Sequence, residues 1–323
     1  MTKFSKGPQL WKKKTQIISE HWLLENGLSH AQCPFVMKKS DGLYCVYFSS
    51  RDKSGRSLPY SVSFSFESQY ESKVTDLPLL ELGRLGTFDD CGVMPAWLLK
   101  SEQNVFMYYT GWNTRSTIPY HNSIGLAISK DDGISFEKLS EGPLWDRDYR
   151  EPYFSACPCV LKDSNGIWRM WYLSCVGWIK HNEKMEPRYH IKYAESTDGI
   201  NWKRLGIVAV NFNRDDEMGI VRASVLKQGG IYKMWYCYRY LLDYRTDSKF
   251  SYRIGYAESS DGIKFTRYDH CVELKLSENG WDSEMLCYPH VIEEQGKLLM
   301  LYNGNGFGKT GIGFAEMLVN TNE

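Results

Sequence analysis

Asp90, Glu217 and Glu284 each stand five residues ahead of a recurring strand position, occupied by Pro95, Arg222 and Pro289. Glu151 stands seven ahead of Pro158, and the stretch before Cys33-Pro34 carries Ser29 and His30 instead. Asp is disfavoured in strands and like charges repel, so acids gathered at equivalent strand ends point to a site rather than to packing. Paired carboxylates of this kind can cleave a glycosidic bond. One stays protonated to serve the leaving oxygen, the other activates water or attacks carbon, and their repulsion separates their pKa values. On this reading Asp90 is the base, Glu217 the acid, and Glu151 or Glu284 tunes the acid.

The far ends of the partner strands supply companions: Ser50-Arg51, Thr110 to Asn113, Cys237 to Arg239, and Asn303 to Asn305. Sugar recognition uses planar aromatic faces together with Arg, Asn and carboxylate hydrogen-bond partners. Arg51, Trp112, Asn113, Arg239, Asn303 and Trp281 are therefore candidate binding residues. His30 joins them by position, with His121 and His290 nearby, and Trp178 is a further candidate platform.

The elements that must position these groups repeat. A short apolar run ending in Tyr recurs at Tyr47, Tyr109, Tyr172, Tyr236 and Tyr302, with spacings of 62 to 66 residues. Such self-similarity marks a repeat architecture of five units filling the whole length. A second marker, Ala-x-Ser-x-Asp-Gly-Ile, spans Ala194 to Ile200 and Ala257 to Ile263, with a one-residue-longer form from Ala127 to Ile134. Within the third unit the sequence predicts strands at 156–162, 168–174, 190–196 and near 201–204, joined by turns at 163–166 and Asp198-Gly199. The expected fold is all-β, a five-bladed β-propeller of four-stranded antiparallel blades in one domain spanning 1–323. The last unit lacks a fourth strand of its own. The segment Thr15 to Ser19 is expected to supply it and close the ring.

Five blades, Met-Trp-Tyr strands and Ser-x-Asp-Gly-Ile turns resemble the five-bladed propeller glycosidases, the superfamily of glycoside hydrolase families 43, 32, 68 and 130. The resemblance covers essentially the whole sequence. It implies a fold with high specificity and an activity with much less, because one fold hosts many functions. In the resembled families three acidic residues come from successive blades, as Asp90, Glu151 and Glu217 do here, and family 43 members invert. The families place their first acid in the first blade, where this sequence has His30.

Composition narrows the partners. With 39 basic and 39 acidic side chains the formal net charge is zero, which provides no long-range attraction for nucleic acid or anionic lipid. No apolar stretch is long enough to span a bilayer, mean hydropathy is −0.45, and no secretory signal is read at Met1 to Leu10. Nine cysteines, an odd number, suit free thiols in a reducing cytoplasm. No cluster of ligand-type residues calls for a metal or other cofactor. Asn303 to Thr310 misses a phosphate loop at its first position and precedes a β-like run rather than a helix. The expected partner is a small carbohydrate or glycan. Besides hydrolysis, the same pocket suits a sugar or nucleotide-sugar that is bound, transferred or rearranged, while a protein-interaction scaffold would leave the acidic recurrence unexplained.

Overall fold

The computed structural model describes residues 7–40, 42–68, 74–240 and 243–318. Strands make up most of it. β1 (Gln9–Ser19) leads into the short helix α1 (Glu20–Glu25), capped where Ser19 Oγ accepts from Trp22 N at 3.1 Å. Antiparallel runs follow in sequence order. The first holds β2 (Gln32–Ser40), β3 (Leu43–Arg51) and β4 (Ser57–Phe64), and the second β5 (Gly92–Ser101), β6 (Asn104–Thr114), β7 (Tyr120–Ser129) and β8 (Glu137–Lys138). The third holds β9 (Ser155–Lys162), β10 (Trp168–His181), β11 (Lys184–Ser196) and β12 (Trp202–Val210), close to the expected strands but with a longer central hairpin. Next come β13 (Glu217–Gln228), β14 (Ile231–Tyr240), β15 (Arg253–Ser259) and β16 (Thr266–Arg267). After the two-residue β17 (Val272–Glu273) the last run holds β18 (Cys287–Glu294), β19 (Lys297–Asn303) and β20 (Gly311–Met317).

β1 lies antiparallel to β20, with Ile18 opposite Ile312 and Lys13 opposite Ala315. The expected pairing of the amino-terminal segment with the last strand is thus present, and it starts earlier, at Gln9 rather than Thr15. The first run has three strands among the described residues, where the repeat leads one to expect four; residues 69–73 lie outside the description. The first strands touch in succession, β2 with β5, β5 with β9, β9 with β13, β13 with β18, and β18 with β2.

The central strands are buried on both faces. Met170, Trp171 and Tyr172 are consecutive, so they point to alternate sides of β10, yet all are fully buried, as are Met234, Trp235 and Tyr236 of β14. The two sequence markers are halves of one joint. Tyr47 donates its hydroxyl to the Gly133 carbonyl at 3.1 Å, Tyr108 to Gly199 at 2.8 Å, and Trp171 donates its indole N–H to Gly262 at 2.9 Å. Each glycine has positive φ, and the Ser of its marker accepts from its N–H, at 2.7 Å for Ser129 and Gly133. Trp235 makes the corresponding contact with Gln9 Oε1 of β1 at 3.0 Å. Tyr47 therefore occupies the place of Tyr108 and Trp171, one residue before the Tyr with which the sequence aligns it.

A bulge interrupts each first strand, and its first residue is Cys33, Pro95, Cys157, Arg222 or Tyr288. All but Pro95 have positive φ, between 49° and 62°. Side chains of the preceding run cap three of these residues: Thr110 Oγ1 accepts from Cys157 N and Asn303 Oδ1 from Cys33 N, both at 2.9 Å, and Cys237 Sγ from Tyr288 N at 3.4 Å. Arg222, 1% exposed, extends from β13 to the other first strands, donating to the Pro34 carbonyl at 2.7 Å and to that of Ala96. His290 packs beside Phe35 and Trp97, 4.2 and 5.2 Å between ring centroids.

Candidate functional site

A cavity of about 380 Å³ lies against these bulges. Its wall includes Cys33, Pro95, Cys157 and Tyr288 from the bulges and Gln32, Ser57, Thr110 and Trp112 from the strands. Tyr120, Tyr189, Tyr244, Arg245, Tyr252 and Phe307 contribute from the carboxyl-terminal half of the hairpins and their loops, and Arg51 from the end of β3. The size suits a small ligand, and rings beside a few amide and hydroxyl groups are a composition that binds one. Trp112 is aimed by Ser57, whose Oγ accepts from its indole at 3.2 Å, and by Gly92, where any Cβ would meet that nitrogen at 1.8 Å.

The wall is cationic. Among the described residues no carboxylate lines the cavity, whereas Arg51 and Arg245 both do. Partial desolvation, together with the charge of Arg245, holds the Arg51 guanidinium below its ordinary pKa although the residue stays exposed at the cavity edge, and Arg51 Nε donates to Gln32 Oε1 at 3.2 Å. Arg239 is fully buried just behind the wall, its guanidinium 5.1 Å from the Tyr189 ring and 3.9 Å from that of Tyr244. Burial pushes the phenols of Tyr120, Tyr252 and Tyr288 up, so they face the cavity as neutral donors. A second cavity of about 610 Å³ shares Tyr120 and Arg245 with the first and adds Arg115, Lys184 and Glu186.

The expected convergence of carboxylates on this cavity does not occur. Glu151, 3% exposed, accepts from Tyr172 at 3.1 Å and is clamped by Lys192 at 3.0 Å and by Arg204. Glu217 is equally buried and pairs with Arg267 at 2.7 Å, which also holds Asp269. Asp90 Oδ2 accepts from Gly86 N at 2.8 Å, and Glu284 is exposed beside Asn305. The acids that do recur are Asp89, Glu151 and Asp282. Asp89 accepts from Tyr109 at 3.0 Å and pairs with Lys138 at 2.7 Å, while Asp282 accepts from Tyr302 at 3.0 Å and pairs with Lys13 at 2.6 Å. Each acid thus joins the strand after the bulge to a cation of the outer strands. This recurrence is a repeated structural clamp, and the physical reason for the misreading is the bulge. Its second position is held by Pro34, Ala96, Pro158, Ala223 and Pro289, so counting from Pro95 or Arg222 is one residue out of register. In true register Asp89, Glu151 and Asp282 all stand seven residues upstream.

The expected binding residues divide as well. Arg51 and Trp112 line the cavity, and Arg239 supports it from behind. Asn303 does not: fully buried, it caps Cys33 and donates to the carbonyls of Ala31 and Gly311. Trp281 stacks on Tyr302 at 5.1 Å, and Asn113 donates to the Thr87 carbonyl at 3.1 Å. His30 approaches Arg51, and burial followed by the charges of Arg51 and Lys309 lowers its pKa to about 4. His121 pairs with Asp146 at 2.8 Å, and Trp178 packs on Tyr120 and Phe154. Of the wall residues that sequence reasoning missed, Tyr120, Tyr189, Tyr244 and Tyr252 share one signal, the concentration of tyrosine after the second strands, whereas Arg245 and Tyr288 lie outside it.

No known protein-family profile matches the sequence. Two Mycobacterium tuberculosis proteins, "Uncharacterized protein MT1551" of strain CDC 1551 / Oshkosh and "Uncharacterized protein Rv1502" of strain ATCC 25618 / H37Rv, are each 34% identical over 310 residues, covering 95% of this protein and 99% of theirs. Among solved structures, a thermostable family-43 glycoside hydrolase superposes with a TM-score of 0.66 at 17% identity, covering 92% of each protein. A glycosyl hydrolase from Bacteroides ovatus gives 0.69 at 14% identity, over 98% of this protein and 95% of that one. A structure described under the GH130 family of mannoside phosphorylases, which contains glycoside hydrolases, gives 0.66 at 14%, over 98% and 95%. The protein belongs to the family of the two mycobacterial proteins, and it shares its fold with these solved glycoside hydrolase structures.

Proposed function

We propose that the protein is one five-bladed propeller domain, closed by β1, that binds and processes a carbohydrate in its axial cavity without a pair of axial carboxylates. The observation that carries this reading is the wall itself: aromatic rings, amides, hydroxyls and guanidinium groups around about 380 Å³, with no acid among the described lining residues. Trp112 offers a planar face, Gln32, Asn122, Ser57 and Thr110 offer hydrogen bonds, and neutral tyrosines donate to sugar oxygens. The cycle of first-strand contacts and the pairing of β1 with β20 support the closed ring. Transfer or rearrangement of a sugar fits this wall better than hydrolysis, and nine free thiols suit the cytoplasm as the place for it.

Hydrolysis is the second reading, favoured by the fold likeness to the thermostable family-43 glycoside hydrolase. It would require Asp90 and Glu217 to act as base and acid, inverting, from outside the cavity wall. One experiment separates the two. Calorimetric titration with a panel of mono- and disaccharides should find a ligand whose affinity falls at least tenfold in Trp112→Ala, with no turnover of aryl glycosides. Turnover that Glu217→Gln abolishes for poor leaving groups, but spares for activated aryl glycosides, would establish hydrolysis instead.

A further inference from the structure

The cavity has more positive charge than its surroundings balance. Three guanidinium groups gather at one side: Arg51 and Arg245 in the wall and Arg239 behind it. Glu186 is the carboxylate within reach, 3.5 Å from Arg245 Nε, and its other oxygen is engaged by the Tyr244 hydroxyl at 2.8 Å. Arg239 bonds only neutral acceptors, Tyr189 Oη at 3.1 Å, the Pro187 carbonyl at 2.8 Å and that of Tyr240 at 3.2 Å. Among the described residues neither Arg51 nor Arg239 has a carboxylate at ion-pair distance. Arg239 is a guanidinium taken out of water without a counter-ion, which is costly, while Arg51 and Arg245 stay exposed at the edge of the cavity; cations gathered at one side in this way make a place that an anion stabilises.

The geometry points to a phosphorylated sugar as the ligand, its phosphoryl group held between Arg51 and Arg245 where the axial cavity meets the outer one. This rests on the carbohydrate reading of the cavity and names the class of sugar. Arg51 comes from the end of β3 and Arg245 from the loop after β14, so their forks approach from different parts of the fold. A tetrahedral phosphoryl group presents several terminal oxygens and can accept from both forks, whereas a planar carboxylate is satisfied by one bidentate partner. Arg245 belongs to the walls of both cavities. A group esterified to the phosphate therefore has the outer cavity of about 610 Å³, whose wall carries Arg115 and Lys184 together with Glu183 and Glu186, to extend into.

The test titrates the intact protein with hexose 1- and 6-phosphates and nucleoside-diphosphate hexoses, beside the matching free hexoses, hexuronates and inorganic phosphate. Binding of at least one phosphorylated sugar should exceed that of its free hexose by tenfold or more and should weaken with salt. Arg51→Gln and Arg245→Gln, each melting like the parent protein, should shrink that preference below about threefold. Equal affinity for free and phosphorylated hexose overturns this proposal and leaves the carbohydrate reading standing. Equal affinity for a hexuronate overturns it in favour of a carboxylate. Inorganic phosphate binding as tightly as every sugar phosphate overturns the sugar component, and binding of none of the probes overturns both readings.

Discussion

The ammonium of Lys192 stands 3.0 Å from Oε1 of Glu151, inside a clamp that Arg204 closes on the other carboxylate oxygen. Removing one member of a buried ion pair strands the remaining charges, at a cost of about 3 kcal/mol. Glu151→Gln should therefore lower unfolding free energy by about that amount in urea titrations. Glu284→Gln, on an exposed side chain, should change it by less than about 0.5 kcal/mol. A destabilisation of similar size at both positions would contradict the division between clamp and surface drawn above.

Gly199 couples two demands in one residue. Its φ is +76°, and a Cβ there would stand 2.8 Å from both the Trp168 ring and the Tyr108 hydroxyl. Gly166 has φ of +84° with open space around it. Gly166→Ala should cost about 1 kcal/mol from backbone strain alone, and Gly199→Ala clearly more, because the joint must also open. Thermal melts of the two variants check this directly.

His290 is buried between aromatic rings, and burial followed by the charge of Arg222 lowers its pKa from 6.5 to about 3. The folded protein therefore keeps this imidazole neutral where the unfolded polypeptide binds a proton. Stability must fall as pH drops from about 6.5 toward 3, with a limiting slope of about 1.4 kcal/mol per pH unit from this group. His290→Phe preserves an aromatic ring beside Phe35 and should flatten that part of the profile. Denaturant titrations between pH 7 and pH 4.5 on both proteins measure the difference, and parallel profiles would refute it.

Asn303 links the last run to the first. Replacing it with Ala would leave Cys33 N and the carbonyls of Ala31 and Gly311 without their partner in a fully buried place. The expected loss is about 2–3 kcal/mol, since a stranded buried polar group costs on the order of 1 kcal/mol or more. Hydrogen exchange should rise first in β2 and β20, the strands that the link holds.

The strand pattern was legible because it is local. Asp-Gly turns and aromatic runs report conformations set within a few residues, and the tyrosine and glycine markers recur because each unit repeats the same joint. The site was legible only where a residue's place follows from its strand, as with Arg51 and Trp112. The acids misled because a bulge adds a residue without leaving a composition signal: Pro95 occupies its first position, while Pro34, Pro158 and Pro289 occupy its second. Tyr244, Arg245 and Phe307 reach the cavity from long loops whose path depends on distant packing, and no spacing rule registers that.

Arg222 fastens three of the first strands together through its bonds to Pro34 and Ala96. Neighbours that are far apart in sequence thus share one keystone side chain. A lysine in its place, with a point charge instead of a planar fork, would hold them less firmly.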